Sequence, residues 1–255
     1  MWQRSPPFGL MEEHRLKAMV ATAQFRIFGV HHLAVLTILA VLGILVAWGG
    51  WRMRGPARVW LGRLLGLLLL GYASALYFEE VRNGWLHPGN SLPMQLCDWV
   101  LIACLVTLFH PSGLASEIAY FWGLAGTLQA VLTPDIAQGF PSWRFIQFFW
   151  GHGAILLGIV YIIAGQQFRP RPRSVLRMMI AVNVYGLAAL SLDLAFGWNY
   201  GYLLYKPAQS SLLDYMGPWP WYLIAIEAIG LLSFWLLGLP WKILDHARAR
   251  RRPVH

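Results

Sequence analysis

One cysteine and one histidine are the residues of this chain whose types and positions suit joint chemistry. Cys97 and His152 lie in different apolar stretches, six and seven residues from the predicted starts of those stretches. A thiol attacks as thiolate, and a neighbouring imidazole can take the thiol proton and later return it. The pair suits nucleophilic catalysis, with Cys97 as nucleophile and His152 as general base and then acid. Cys104 is too far along the same helix to form a disulfide with Cys97 and is predicted to be a core residue.

Several carboxylates occupy similar positions along the apolar stretches. Asp98, Asp193 and Glu227 lie inside such stretches, and Glu79 and Glu80 end another. An ionised carboxylate at the centre of a bilayer costs roughly 2.5–3.5 kcal/mol, so such residues usually face a polar cavity. Their types suit either structural hydrogen bonding or a relay of protons or cations, and both interpretations stay open at this point.

The apolar stretches themselves define the class of protein. The chain of 255 residues is 58% hydrophobic and 12% charged, whereas a soluble domain carries about 25% charged residues. Seven stretches are long enough to cross the ~30 Å hydrocarbon layer, at residues 31–50, 59–78, 91–109, 115–132, 145–165, 175–196 and 219–239. We therefore predict an all-α polytopic membrane protein, a bundle of seven transmembrane helices at 31–240. An N-terminal tail at 1–30, with the pattern of an interfacial amphipathic helix, precedes it, and a basic tail at 241–255 follows.

The distribution of basic residues predicts how the bundle is oriented. The net charge is +9, but the basic residues cluster beside helix ends, which argues against nucleic acid as a partner. Thirteen of the 20 Lys and Arg residues fall on one face of the predicted bundle and seven on the other. The positive-inside rule then places the C-terminus in the cytoplasm and the N-terminus outside. Cys97, His152 and Glu227 would lie roughly 9–12 Å below the outer boundary, in a polar cavity that opens to the outer leaflet.

Cofactor chemistry finds little support in the sequence. Haem ligation would need a second histidine at matching depth on another span, and retinal would need a lysine inside a span. Lys206 and Lys242 lie at or beyond the ends of the spans. We predict neither a cofactor nor a metal.

Short strings along the chain carry a family resemblance. The most specific are Pro93-x-Gln95-Leu96-Cys97 and Gly217-Pro218-Trp219-Pro220-Trp221-Tyr222, and others lie at 120–135, 148–152 and 199–207. In this order they resemble the YwaF-type bacterial integral membrane proteins, which are grouped with eukaryotic transmembrane protein 164. The resemblance covers roughly residues 30–240.

The resemblance implies a seven-helix protein of the bacterial inner membrane and, from the eukaryotic branch, a phospholipid acyltransferase that uses cysteine and histidine. By position the catalytic residues are Cys97 and His152, and the substrates are a phospholipid and a lysophospholipid. Relatives often carry histidine two positions before the cysteine, where this chain has Gln95, so His152 is the base candidate. The residues expected to support the polar cavity are Gln95, Asp98, Asp193, Asn199 and Glu227, with Gln95 or Asn199 as oxyanion donor. Those expected at the lipid headgroup are Lys206, Tyr200 and Trp219.

Two other classes of function fit the same residues. Asp98, Asp193 and Glu227 could form the proton or cation relay of a transporter, although the two halves show no inverted repeat. A non-catalytic bundle that binds or senses lipids is the third possibility.

Overall fold

The computed structural model describes residues 24–207 and 211–250. Within these ranges the regular secondary structure is helical, apart from one antiparallel bridge between Gln24 and Gln138. The N-terminal tail predicted at 1–30 lies largely outside the described residues. The long helices are α1 (Val30–Arg52), α2 (Gly55–Asn83), α3 (Leu96–Phe109), α5 (Trp143–Ala164), α6 (Ser174–Phe196) and α7 (Trp221–Arg250). Helix α4 joins three consecutive segments, Gly113–Trp122, the π-helical turn Gly123–Thr127 and Leu128–Leu132.

Five of these helices, α1, α2, α5, α6 and α7, are long and apolar enough to cross a membrane, which indicates an integral membrane protein. The predicted third and fourth spans differ from them. Helix α3 begins only at Leu96, because Leu92 is already extended and Pro93 follows it, and its 14 residues rise about 21 Å. Helix α4 is interrupted by its π turn. The prediction of an all-helical membrane protein is confirmed, whereas the number of seven spans stays a prediction.

Helix α5 is the central element of the bundle, since more than half of its apolar window is buried. Glycines on α5 allow its neighbours to approach closely. A Cβ at Gly153 would lie 2.6 Å from Cδ2 of Leu39 on α1, and one at Gly151 would lie 2.3 Å from the ring of Tyr72 on α2. Small residues at helix contacts are the usual means by which membrane helices pack.

Helices α3 and α5 run parallel. The Cys104 Sγ lies 4.0 Å from the Ile155 carbonyl oxygen, and one turn further along both helices Leu108 contacts Gly158. Cys104 is fully buried in the apolar core, as the sequence predicted. The parallel arrangement brings the N-terminal ends of α3 and α5 to the same end of the bundle.

Basic residues collect at the other end of the bundle around a buried carboxylate. Glu117 on α4 is fully buried and accepts hydrogen bonds from the Arg171 backbone N–H and guanidinium, from the Ser174 hydroxyl and from Arg177. Its oxygens lie 2.8 Å from Nη2 of Arg171 and 2.6 Å from Nη1 of Arg177. Glu117 therefore ties the segment before α6 to the start of α4.

Replacing Glu117 with alanine should lower the free energy of unfolding by about 3 kcal/mol, because a buried carboxylate with several charged donors is lost. Chemical unfolding of the purified protein in detergent measures the change. The control is Asp245→Asn, which breaks the exposed pair of Asp245 with Arg169 at 3.2 Å and should cost less than about 1 kcal/mol. Equal effects of the two variants would contradict a structural role for the burial of Glu117.

Candidate functional site

Cys97 lies in the first turn of α3 and is partly exposed. The hydroxyl of Thr127, at the end of the π turn of α4, lies beside its thiol. That hydroxyl is buried and makes no hydrogen bond to another described residue. π-Helical turns are frequent at functional sites because they redirect side chains within a helix. Here the π turn places the Thr127 hydroxyl next to the predicted nucleophile, Cys97.

Three tyrosines that were not predicted as site residues lie in the region of this thiol. Tyr72, Tyr185 and Tyr202 all lie within electrostatic range of the Cys97 sulfur. The Tyr185 hydroxyl donates to the Met94 carbonyl at 2.8 Å, and the Tyr202 hydroxyl donates to Asp135 Oδ2 at 2.9 Å. Burial and this bond to Asp135 raise the pKa of Tyr202, so its phenol stays protonated. Phenols from three separate segments thus lie near the thiol.

His152 lies on α5 with one ring nitrogen hydrogen-bonded and the other without a partner among the described residues. Its Nδ1 lies 2.9 Å from the Phe148 carbonyl oxygen, and its ring stacks on the Phe148 ring at 4.1 Å between centroids. A carbonyl only accepts, so Nδ1 carries the proton and Nε2 carries the lone pair in the neutral ring. Nε2 makes no hydrogen bond to another described residue. This is the tautomer that a general base acting through Nε2 requires.

A cavity of about 370 Å³ opens beside His152. It lies between α2, the start of α5 and the segment joining α4 to α5. Its lining residues are Tyr72, Leu76, Asp135, Ile136, Ala137, Gln138, Arg144, Gln147, Phe148 and His152. Gln147, although only 6% exposed, makes no hydrogen bond with another residue of the described ranges. A mixed polar and apolar lining of this kind is typical of a ligand site.

Cys97 and His152 lie in the same half of the bundle but are not hydrogen-bonded to each other. The hydrogen bond of the imidazole goes to the Phe148 carbonyl. Cys97 precedes Cys104 by about 10.5 Å of helix rise, and His152 precedes Ile155 by about 4.5 Å. Because Cys104 and Ile155 are neighbours on parallel helices, the two predicted catalytic residues are offset by roughly 6 Å along the helix axes. Tyr72 lies near both residues, since it lines the cavity with His152 and is also within electrostatic range of Cys97.

Gly151 determines where Tyr72 lies, because its missing side chain makes room for the phenol ring. Gly151→Ala should lower the free energy of unfolding by about 1–3 kcal/mol, since the added Cβ would meet the ring at 2.3 Å. Thermal unfolding measures the loss. Gly43→Ala on α1 is the matched control, because no atom lies within 4 Å of the added Cβ, and it should leave stability unchanged or slightly raised. A stable Gly151→Ala protein would show that Tyr72 is free to move.

The predicted supporting carboxylates divide into two groups. Asp98 Oδ2 accepts from the Gln95 N–H at 2.9 Å and caps α3. Asp193 is fully buried, and its Oδ1 accepts from the Tyr200 N–H at 2.8 Å while Oδ2 has no partner among the described residues. Both lie at the end of the bundle that holds Cys97. Glu227 lies elsewhere: it is exposed on α7 and accepts from Asn183 of α6 at 2.7 Å.

The remaining predicted residues hold the loops over this end of the bundle. The Gln95 Oε1 accepts from the Gly201 N–H at 3.1 Å, and Asn199 bonds the backbone of Tyr205 through both its amide groups. The Tyr200 hydroxyl donates to the Pro88 carbonyl, and Trp219 donates to the Leu203 carbonyl. Lys206 lies over the Tyr222 ring, 5.6 Å from its centroid. These residues are brought to one end of the bundle, and most of them bond the backbone of the loops there.

A second histidine, which was not predicted as a site residue, is buried at the same end. His32 Nδ1 accepts from the Phe28 N–H at 3.0 Å, so Nε2 carries the proton and donates to the Val131 carbonyl at 2.9 Å. Both nitrogens are used, so His32 joins α1 to α4 and has none left for catalysis. Within the described residues, no group of three or more His, Cys, Asp or Glu side chains is arranged to hold a metal ion.

Comparison with known proteins gives one finding. The sequence model of the TMEM164 family matches residues 27–238. The matched range contains α1 to α6, most of α7, and both Cys97 and His152. No curated protein and no solved structure matches the chain.

Proposed function

Since this chain belongs to the TMEM164 family, we propose that it is a membrane-embedded acyltransferase that moves a fatty-acyl group from a phospholipid to a lysophospholipid. We place it in the YwaF-type bacterial branch and in the inner membrane, with seven passes, the N-terminus outside and the C-terminus in the cytoplasm. The observation that carries the proposal is the state of His152. Its Nδ1 is engaged by the Phe148 carbonyl, which leaves Nε2 as an unprotonated base beside an open cavity.

In the first half of the proposed reaction, His152 Nε2 takes the proton of the Cys97 thiol, and the thiolate attacks the ester carbonyl carbon of the donor. The tetrahedral intermediate collapses, the ester C–O bond breaks, and a thioester forms on Cys97. The proton on Nε2 passes to the departing alkoxide, which leaves as a lysophospholipid. Closing the roughly 6 Å axial offset needs a shift of α3 against α5 or the side-chain movement that substrate binding brings in many enzymes.

In the second half, His152 Nε2 accepts the proton of the acceptor hydroxyl, whose oxygen attacks the thioester carbonyl. The C–S bond breaks, and the protonated imidazole returns its proton to the thiolate. The overall reaction exchanges one ester for another and consumes no water or nucleotide. The developing oxyanion needs a donor, and Gln95 is the better placed of the two predicted amides. Its Oε1 is held by Gly201, while its NH₂ group makes no hydrogen bond to another described residue.

The test is acyl transfer by the purified protein in phospholipid nanodiscs. The donor carries an isotopically labelled acyl chain, the acceptor is an unlabelled lysophospholipid, and mass spectrometry follows the label. We expect label in the acceptor product, and hydroxylamine should release labelled acyl hydroxamate from a trapped thioester. Absence of both products with several donor and acceptor pairs would refute the proposal.

A transporter is the second candidate, because two buried carboxylate oxygens lack partners among the described residues. Asp193 Oδ2 and Glu80 Oε2 are both in this condition at the end of the bundle that holds Cys97. Such groups suit proton binding. The position of Glu227 argues against a relay that uses all three predicted carboxylates, because Glu227 is hydrogen-bonded to Asn183 on the outer surface of α6 and α7.

A further inference from the structure

A positively charged side chain, that of Arg144, lines the cavity beside His152 and has no anionic partner among the described residues. Arg144, in the first turn of α5, lines this cavity and makes neither an ion pair nor a side-chain hydrogen bond with another described residue. Its guanidinium lies over the Trp85 ring, 5.4 Å from the centroid. Stacking on an indole holds the guanidinium in place and leaves its N–H groups free to donate.

A buried amide lies next to this cation. Gln147 follows Arg144 by three residues on α5, so both project from one face of the helix, together with Phe148 and His152. Gln147 is 94% buried, lines the cavity and makes no hydrogen bond within the described ranges. Its amide atoms are not among the fully enclosed polar atoms that lack a partner, so the amide is accessible from the cavity and can hydrogen-bond a ligand there. The first turn of α5 adds the partial positive charge of a helix N-terminus.

We infer that Arg144 and Gln147 form a binding subsite for the phosphodiester group of a lipid, which positions that lipid beside His152. A planar guanidinium matches the two free oxygens of a phosphodiester. The lining contains apolar side chains as well, Leu76, Ile136 and Phe148 among them, which suits the glycerol backbone and the first part of the acyl chains. This inference rests on the proposed function for its substrate class, although the subsite is testable by binding alone.

One carboxylate in the same cavity opposes the phosphate. Asp135 lines the cavity and accepts a hydrogen bond from Tyr202. Its charge repels an anion bound at Arg144, so Asp135→Asn should tighten phosphate binding while Arg144→Ala weakens it. Because the two substitutions should change phosphate affinity in opposite directions, together they distinguish an electrostatic subsite from a general loss of structure.

Arg82 provides a matched control. It is exposed near the end of α2 and lines a neighbouring cavity of about 420 Å³ with Glu79, Asn83 and Trp143. Arg82 and Arg144 therefore lie at the same end of the bundle and differ in which cavity they face. Arg82→Ala removes the same charge without touching the proposed subsite.

The experiment measures equilibrium binding of a dialkyl-ether glycerophosphocholine to the full-length protein in a non-ionic detergent, because ether linkages cannot be cleaved and this detergent contains no competing phosphodiester. We expect this lipid to bind at least about 10-fold more tightly than the dialkylglycerol that lacks the phosphate. Arg144→Ala should remove that difference, Arg144→Lys should keep part of it, Asp135→Asn should increase it, and Arg82→Ala should leave it unchanged. Thermal unfolding of each variant verifies that it is folded.

The outcomes separate the subsite from the catalytic proposal. If lipid binding depends on Arg144 but the protein has no transferase activity, the subsite is supported and the proposed acyltransferase function is refuted. If Arg144→Ala, Arg82→Ala and the wild type transfer acyl groups with the same KM and bind lipid with the same affinity, the proposed subsite is refuted. The proposed acyltransferase function is then still supported. Displacement of the lipid by millimolar inorganic phosphate, dependent on Arg144, would assign the site to a free anion and overturn the lipid assignment.

Discussion

Cys97→Ser should abolish acyl transfer, a loss of at least about 10³-fold, because the reacting thiolate is replaced by a hydroxyl that is far harder to ionise. The protein should still fold, since the two side chains have nearly the same volume. The Thr127 hydroxyl beside Cys97 can also hydrogen-bond the new serine. The measurement is transfer of a labelled acyl chain in nanodiscs, with thermal unfolding to verify the fold.

Cys104→Ala is the matched control for this prediction. Cys104 lies seven residues further along α3 and is fully buried in the apolar core, so its loss should leave activity per folded molecule unchanged. A transporter would respond differently: Asp193→Asn would inactivate it, and Cys97→Ser would be nearly silent. Full transferase activity in a folded Cys97→Ser protein would remove the thiol from the mechanism.

His152→Ala should slow transfer by about 10²–10⁴-fold, the usual contribution of a general base. The double variant with Cys97→Ser should be little slower than either single variant, because residues that act as one unit are not additive. Exogenous imidazole should restore part of the activity of His152→Ala, since the open cavity admits it. Transfer rates with and without imidazole provide the measurement.

His110→Ala is the control for His152→Ala, because His110 is exposed at the end of α3 and should not affect transfer. His32→Ala offers a second comparison. It breaks the hydrogen bond from His32 to Val131 that joins α1 to α4, and the bond from Phe28 at the start of α1, so it should lower stability while folded molecules keep their rate. An undiminished rate in His152→Ala would leave Cys97 without the base that the mechanism assigns to it.

The sequence by itself determined the membrane class, most helix positions and the end of the bundle at which Cys97 and His152 lie. These properties follow from local rules. An apolar run of sufficient length forms a helix in lipid, because its backbone groups must bond within the segment. The rise of 1.5 Å per residue then converts position in the run into depth. His152 and Asp193 lie near the predicted positions along their helices, whereas Cys97 and Asp98 lie in the first turn of α3, because this helix begins only at Leu96.

Rotation about the helix axis was decided only by the tertiary structure. Glu227 has the predicted position along α7, yet it faces the outer surface and pairs with Asn183. The helix rise is a property of the backbone, whereas the face that a helix buries depends on its neighbours. Near-uniform apolarity around these helices leaves little periodicity from which that face can be predicted.

The tertiary structure also decided which polar groups are already satisfied. His32 and His152 are both histidines in apolar stretches, but packing uses two nitrogens of the first and one of the second. The phenols near Cys97 come from α2, α6 and the loop after α6, and the cavity that Arg144 and Gln147 line is formed by α2, α5 and the segment joining α4 to α5. Such groupings depend on contacts between segments far apart in sequence, which helix propensity and hydropathy do not specify. Residue type and depth therefore identified the candidate functional residues. Packing decided which of them retain a free lone pair or a free donor and which of them line a cavity.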